Sequence, residues 1–135
     1  MSKIHYSDIN IIYEDNHLLV AEKPVNIPSQ QDRSGDKDIL TLLKEYIKEK
    51  YNKPGNVYLG LVHRLDRPVG GVMVFAKTSK AASRLSEQIR TRQFGKKYLA
   101  VIHGIPPVKS NKNLVHYLIK DRHKNIVKVV DSGTE

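Results

Sequence analysis

The sequence predicts an α+β domain with a mixed, mainly antiparallel sheet and flanking helices. Three observations lead to this prediction. Short apolar runs of strand length outnumber the segments with helical periodicity. Polar, turn-forming residues separate several neighbouring runs closely enough for hairpins, which join antiparallel strands. The chain has 135 residues, of which 39% are hydrophobic, so it can form a core and is one domain or part of one.

The first predicted elements are two strands and a helix. Residues 11–13 and 18–21 are apolar runs separated by a polar turn at 14–17, which predicts a strand pair. The polar stretch 28–38 predicts a surface loop. Residues 38–51 then carry apolar side chains on one face at helical spacing, which predicts an amphipathic helix. The residues of that face are Ile39, Leu40, Leu43 and Ile47.

The second half of the chain predicts further strands around one helix. The segments are a strand at 57–65, a central strand at 71–76, a helix from 78 or 79 to 92, a strand at 98–102, and a hairpin formed by 114–120 and 125–130. Thr78 or Ser79 can cap the helix. The residues expected to face inward from it are Ala82, Leu85 and Ile89.

Composition limits the classes of function. Lysine and arginine number 23 against 14 acidic residues, and the net charge of +9 is spread along the chain. Such a surface suits a polyanion, although a basic protein without a nucleic-acid partner has the same composition. The absence of cysteine excludes disulfides, thiolate catalysis and cysteine-bearing zinc sites. No apolar run is long enough to cross a bilayer, so we expect no membrane partner and a cytoplasmic location.

Asp66 is the first candidate for a functional residue. It ends the predicted strand 57–65 where Arg67-Pro68 begins a loop, and strand ends present side chains to ligands without disturbing the core. In an extended segment Arg64 and Asp66 point to one face, and the residues between and before them point to the other. Two neighbouring arginines favour the ionised carboxylate. Such a group can act as nucleophile or base on a ribose whose glycosidic bond is breaking, or it can simply form a surface ion pair in a turn.

The residues around Asp66 resemble the aspartate motif of the RluA-type pseudouridine synthases. Members carry His-Arg-Leu-Asp, two variable residues, a Thr-Ser-Gly-like triplet, a hydrophobic strand and Ala-Lys. His63-Arg64-Leu65-Asp66 matches the first part and residues 71–77 match the strand, whereas Val69-Gly70 replaces the Thr-Ser pair. Residues 12–24 resemble the family's opening strand pair, and residues 95–104 resemble its second, tyrosine-bearing motif. The three matches are collinear and cover nearly the whole chain.

The resemblance implies a pseudouridine synthase-like fold and an RNA-modifying enzyme. The reaction is an isomerisation, an intramolecular transfer that converts uridine to pseudouridine in ribosomal or transfer RNA and uses no cofactor. Carried over to this sequence, Asp66 is the catalytic aspartate. Arg64 would contact the RNA and fill the space left by a flipped nucleotide, and Tyr98 would stack on the target base. Without the resemblance, Tyr98 is an ordinary strand aromatic and Arg64 a solvated charge or a partner of Asp66.

One family segment has no counterpart in this sequence. Members carry a late motif resembling Gly-Arg-x-His-Gln-Ile-Arg, which supplies a basic partner for the catalytic aspartate, and nothing similar occurs here. We therefore interpret residues 1–135 as the N-terminal portion of a catalytic domain, with an apparently incomplete fold and no preceding RNA-binding domain. Exposed apolar surface and unpaired strand edges would follow, and we expect this chain alone to be weakly active or inactive.

Other functions remain open from the sequence. A noncatalytic RNA-binding module with the same fold would bind RNA without forming product. A nucleoside or base hydrolase would use Asp66 with water and release free uracil. Metal catalysis finds no support, because the six histidines show no ligand spacing such as His-x-x-x-His. The sequence does not identify the modified uridine or the oligomeric state.

Overall fold

A computed structural model of the chain describes residues 4–105, 113–121, 124 and 126–131. The chain divides into two compact units, Met1–Lys97 and Tyr98–Glu135, and each is described by itself. The described part contains antiparallel strand pairs and two α-helices, so the predicted α+β class is confirmed. No helix in this part is long and apolar enough to cross a membrane.

The first unit is built on a sheet of four strands in the order β1-β2-β4-β3. All neighbouring strands in this sheet are antiparallel. The long pairing of β2 with β4 runs from Leu18 opposite Ala76 to Lys23 opposite Gly71, which confirms the predicted central position of the strand at 71–76. The strands are β1 Ile11–Glu14, β2 Leu18–Lys23, β3 Gly60–Leu61 and β4 Gly71–Ala76.

The strand predicted at 57–65 was wrong in its length, because only Gly60–Leu61 pairs with β4. Side chains replace the strand partner beyond that point. The imidazole Nε2 of His63 accepts the backbone N–H of Val74 at 3.1 Å. Farther along, the Ser29 hydroxyl accepts the N–H of Leu65 at 3.1 Å and donates to its carbonyl oxygen at 2.6 Å. The segment therefore stays close to β4 without forming a ladder.

The two predicted helices are present, with different degrees of burial. Helix α1, Ile39–Lys50, begins after Asp38, whose carboxylate caps it by accepting the N–H of Thr41 at 3.0 Å. Helix α2, Ser79–Arg90, begins after Thr78, whose hydroxyl accepts the N–H of Ala81 at 3.2 Å. The buried residues of α1 are Ile39, Leu42, Leu43 and Ile47. The predicted inward residues of α2, Ala82, Leu85 and Ile89, are only half-buried.

The core of the first unit combines alternate residues of β2 and β4 with the apolar face of α1. Leu19 and Ala21 on β2, together with Met73 and Phe75 on β4, are fully buried, as the two-residue period of a strand predicts for one sheet face. Lys23 continues this alternation and is also fully buried. The last residue of β2 therefore places a charged side chain at the edge of the core.

The second unit contains a hairpin. Strands β5 Tyr117–Asp121 and β6 Ile126–Val130 pair in antiparallel register, with Tyr117 opposite Val130, which confirms the predicted hairpin. The strand predicted at 98–102 was wrong, because this segment has no strand partner among the described residues and its apolar side chains are exposed. An apolar run forms a strand only where another backbone satisfies its hydrogen bonds.

Candidate functional site

Asp66 lies at the start of a tight turn in the first unit. The backbone carbonyl of Asp66 accepts the N–H of Val69 at 3.0 Å, which closes the turn. Arg64 and Asp66 are exposed, whereas His63 and Leu65 are half-buried, so the predicted alternation of the segment is confirmed. The carboxylate of Asp66 is therefore presented to solvent on the same side as Arg64, whereas the alternate residues His63 and Leu65 face the interior.

Ser29 fixes the residue that precedes Asp66. This serine lies in the loop between β2 and α1 and is 6% exposed. Its hydroxyl is hydrogen-bonded to both backbone groups of Leu65, whose side chain packs against the core. A backbone held at its N–H and its carbonyl has little freedom to rotate, so the bond pair positions the residue that follows.

Lys23 lies beneath the turn and is fully buried. Its ammonium group donates to the carbonyl oxygens of Ile27 at 2.7 Å, Pro24 at 3.1 Å and Arg67 at 3.2 Å. Burial lowers the pKa of Lys23, the nearby charge of Arg67 lowers it further, and the carboxylate of Asp66 raises it. The buried cation therefore joins the turn to the end of β2 and contributes positive potential beneath Asp66.

Lys23 and Ser29 were both missed by the sequence reasoning. A weak signal for Lys23 existed, because it occupies the inward position of β2 two residues after Ala21. Lysine is almost never fully buried without a partner. A lysine at an inward strand position therefore indicates that buried groups nearby bind its ammonium group. Ser29 left no signal, since a serine in a polar loop is ordinarily solvated.

The side chain of Arg67 is bound to the loop that precedes α1. Its guanidinium donates to the hydroxyl of Ser34 at 3.0 Å, pairs closely with Asp36, and lies 3.7 Å from a carboxylate oxygen of Asp32. The bond from Arg67 lowers the pKa of Asp36. Among the described residues these two loop aspartates, and not Asp66, form the ion pairs of Arg67. The guanidinium of Arg67, the residue next to Asp66 in sequence, therefore anchors the turn to this loop.

Two glycines return the turn to β4. A Cβ at Gly70 would lie 3.1 Å from a methyl carbon of Val25 and 3.3 Å from the carbonyl oxygen of Lys23, which is tighter than ordinary packing. Gly71 has a φ of 147°, a conformation that side-chain-bearing residues rarely adopt. The position where the family's Thr-Ser pair gives way to Val69-Gly70 is therefore one of close backbone approach.

His63 is a structural residue of this segment. Its ring lies 5.8 Å, between centroids, from the ring of Phe94. Burial lowers the pKa of His63, and the charge of Lys96 lowers it further. Because Nε2 accepts the N–H of Val74, the neutral ring carries its proton on Nδ1. His63 thus ties the residues before Asp66 to β4 in its uncharged form.

Tyr98, the third predicted site residue, belongs to the second unit, and its side chain is 64% exposed. Its role stays a prediction drawn from the resemblance.

For metal binding, the described ranges contain no group of three or more histidine, aspartate or glutamate side chains that could hold an ion.

Comparison with known proteins assigns the chain to a family. The profile of RNA pseudouridylate synthase matches residues 17–135. The chain belongs to the RNA pseudouridylate synthase family. The family assigned from the residues around Asp66 is thereby confirmed, and the segment His63-Arg64-Leu65-Asp66 lies inside the matched range.

Two curated relatives are similar to most of this chain. Ribosomal large subunit pseudouridine synthase C of Buchnera aphidicola subsp. Baizongia pistaciae is 35% identical over 93% of this chain and 38% of its own length. Ribosomal large subunit pseudouridine synthase D of Xanthomonas campestris pv. campestris is 38% identical over 71% of this chain and 28% of its own length. The chain thus spans about a third of the length of these pseudouridylate synthases.

A solved structure shares the pseudouridylate synthase fold. Human RNA pseudouridylate synthase domain containing 4 superposes with a TM-score of 0.53 at 33% identity, covering 62% of this chain and 30% of that chain. The α+β architecture is therefore that of part of a pseudouridylate synthase.

Proposed function

We propose that this chain carries the catalytic aspartate of an RNA pseudouridine synthase and that Asp66 is that residue. The observation that carries the proposal is the anchored turn. Buried groups hold its backbone on both sides of Asp66, Ser29 at the preceding residue and Lys23 at the following one, while the carboxylate remains exposed. Catalysis requires this combination, because the reacting group must be accessible and its position must be fixed.

The proposed reaction is an isomerisation of a uridine flipped out of its RNA context. The bond between the ribose and the uracil nitrogen breaks, the freed base rotates, and a bond forms between the ribose and a ring carbon. That carbon loses its hydrogen as a proton, and the freed nitrogen takes up a proton, so the overall change is an isomerisation. Reactant and product contain the same atoms, so the step needs neither an oxidant nor a group donor, and we propose that no cofactor takes part. Asp66 would act on the sugar as nucleophile, on the base as nucleophile, or on the sugar as a base.

Arg64 and Tyr98 complete the proposed site. Arg64 is exposed on the same side of the segment as Asp66, where its guanidinium can contact an RNA phosphate or occupy the space of the flipped nucleotide. Tyr98 would stack on the target base, as the resemblance implies. Both residues act through RNA in this proposal, so their removal should weaken substrate binding as well as turnover.

Ribosomal RNA is the proposed substrate, with transfer RNA as the second candidate. The two relatives described above are named for the large ribosomal subunit. The net charge of +9 supports a polyanionic partner of either kind. Cytoplasmic action is part of the same proposal.

The test is a pseudouridine assay on unmodified ribosomal and transfer RNA. It compares this chain, a longer chain that includes a segment resembling Gly-Arg-x-His-Gln-Ile-Arg, and the Asp66→Asn variant of each. Glu49→Gln, the same carboxylate-to-amide change on the exposed face of α1, is the matched control. We expect product from the longer chain and its control, little from this chain, and none from the Asp66 variants.

Four other outcomes would overturn parts of the proposal. Robust turnover by this chain alone would contradict its expected weak activity. Product from an Asp66→Asn variant would contradict the assignment of the catalytic residue. RNA binding without product in every case would favour the noncatalytic module, and release of free uracil would favour a hydrolase.

A further inference from the structure

A groove lies between α2 and the turn that joins β1 to β2. Its volume is about 530 Å³, within the size range of small-molecule sites. Apolar and polar side chains line it, and we call the apolar residues its floor and the polar ones its rim. The floor residues are Leu18, Ala81 and Leu85, and the rim residues include His17, Lys80, Arg84 and Gln88.

The groove is separate from the catalytic turn. Leu18, which lines the groove, begins β2, and Lys23, which bonds the turn, ends it. Five steps of about 3.3 Å along the strand place the two sites roughly 17 Å apart. A ligand in the groove therefore does not occupy the space of a nucleotide at Asp66.

The rim carries positive charge that no ion pair among the described residues neutralises. Lys80 and Arg84 are four residues apart on α2, a spacing at which like charges destabilise a helix. Within the described residues neither of them forms an ion pair, and Glu87, the acid of this helix, pairs with Arg90. Residues 79–97 contain one acidic residue, Glu87, and six exposed basic residues. The basic residues are Lys80, Arg84, Arg90, Arg92, Lys96 and Lys97.

Asp15, the acidic residue of the groove, already accepts three hydrogen bonds. The carboxylate of Asp15 accepts the N–H groups of His17 at 2.7 Å and Leu18 at 2.6 Å, and the hydroxyl of Tyr13 at 2.9 Å. These bonds all come from residues of the β1–β2 turn and its flanks, and no ion pair joins Asp15 to Lys80 or Arg84 among the described residues. The groove therefore offers two free cations above an apolar floor.

We infer that this groove binds a single-stranded segment of the RNA substrate at a distance from the modified uridine. Lys80 and Arg84 contact phosphates, and an unstacked base lies on the floor formed by Leu18 and Leu85. A base of a continuous duplex is stacked and cannot reach the floor, which favours single-stranded RNA. The inference rests on the proposed function, since it assigns a second contact for the same substrate.

The test measures binding of a short, fluorescently labelled single-stranded RNA by anisotropy at several salt concentrations. The variant is Lys80→Gln with Arg84→Gln. Its matched control is Lys44→Gln with Lys48→Gln on α1, which removes the same charge at the same spacing. A second variant, Gln88→Lys, adds a cation to the rim one helical turn beyond Arg84.

Two lost phosphate contacts lower the slope of log affinity against log salt by about 1.4 for a single strand. Over a fourfold rise in salt, the affinity of the native chain should then fall about sevenfold more than that of the groove variant. We expect the α1 control to keep the native slope and Gln88→Lys to steepen it. Circular dichroism of each variant confirms that the helix is retained.

Several results would overturn the inference. They are a native slope in the groove variant, an equal loss in the α1 control, or a chain that binds no RNA. Binding of polyglutamate that depends on Lys80 and Arg84, with RNA binding unchanged, would assign the groove to an acidic protein partner instead. The pseudouridine assay with Asp66→Asn judges the proposed function independently, so failure of the groove and failure of the enzyme are distinguishable.

Discussion

Replacement of Glu14 by glutamine should cost the first unit much of its stability at neutral pH. The carboxylate of Glu14, 7% exposed, accepts hydrogen bonds from Lys50 and Lys77 at 2.7 Å, Tyr51 at 2.8 Å and Tyr46 at 2.9 Å. These contacts connect β1 to α1 and to the residue that follows β4. Glutamine keeps the shape but removes the charge, so two ammonium groups lose their counter-ion.

The magnitude follows from the pKa of Glu14. Burial alone would raise this pKa, but the bonds from Lys50, Lys77 and the two tyrosines outweigh burial and lower it from 4.5 to about 2. A difference of about 2.5 units corresponds to about 3 kcal/mol. The unfolded chain takes up this proton more readily than the folded one, so stability rises with pH. The contribution is complete above an ordinary pKa of 4.5 and is lost as pH falls toward 2.

The assay is urea unfolding followed by far-ultraviolet circular dichroism between neutral and acidic pH. The native chain should lose about 3 kcal/mol of unfolding free energy from pH 5 downward, and Glu14→Gln should lack that part of the slope. The control is Glu45→Gln, which breaks an exposed pair with Lys37 and should cost less than about 1 kcal/mol. Equal losses in the two variants would refute the reasoning.

Three further predictions concern the turn that carries Asp66. Lys23→Met leaves three carbonyl groups without a donor and should destabilise the chain by about 2 kcal/mol, measured by urea unfolding. The pKa of His63 should lie below its ordinary value of 6.5 in an NMR titration. Its contribution to stability is then present above pH 6.5 and is lost as pH falls, because protonation breaks the bond from Val74. Gly71→Ala should cost about 1 to 2 kcal/mol because of its positive φ, whereas Gly95→Ala, with open space around it, should be close to neutral.

Each of these predictions has a result that would contradict it. Unchanged stability in Lys23→Met would show that burial of the ammonium costs as much as its three bonds contribute. A titration of His63 at or above 6.5 would contradict the neutral ring assigned from its bond to Val74. Equal effects of the two glycine substitutions would mean that backbone conformation does not decide the cost at Gly71.

The sequence predicted those features that depend on neighbouring residues. Helix α1 begins after Asp38, close to the start that the apolar face at 38–51 indicated. The exposure of Asp66 also followed from local alternation. The strand predicted at 57–65 is much shorter, and the segment 98–102 has no strand partner among the described residues. Both differences arise because a strand depends on a partner elsewhere in the chain, which local periodicity does not identify.

The contacts that build the site were harder to predict for the same reason. Arg67 pairs with Asp36 across 31 positions of sequence, and Ser29 bonds Leu65 across 36. Nothing near either residue indicates the distant partner. The roles of Asp66, Arg64 and Tyr98, the domain assignment and the cytoplasmic location stay predictions.

The buried ammonium of Lys23 has a consequence for chemical labelling. An amine reacts with an acylating reagent only as the free base and only where the reagent can reach it, and Lys23 is fully buried with its donors occupied by three carbonyls. Acylation at this position requires the turn to detach from the end of β2. The rate at which Lys23 becomes modified, followed by peptide mass spectrometry, would therefore report how often the turn that carries Asp66 opens.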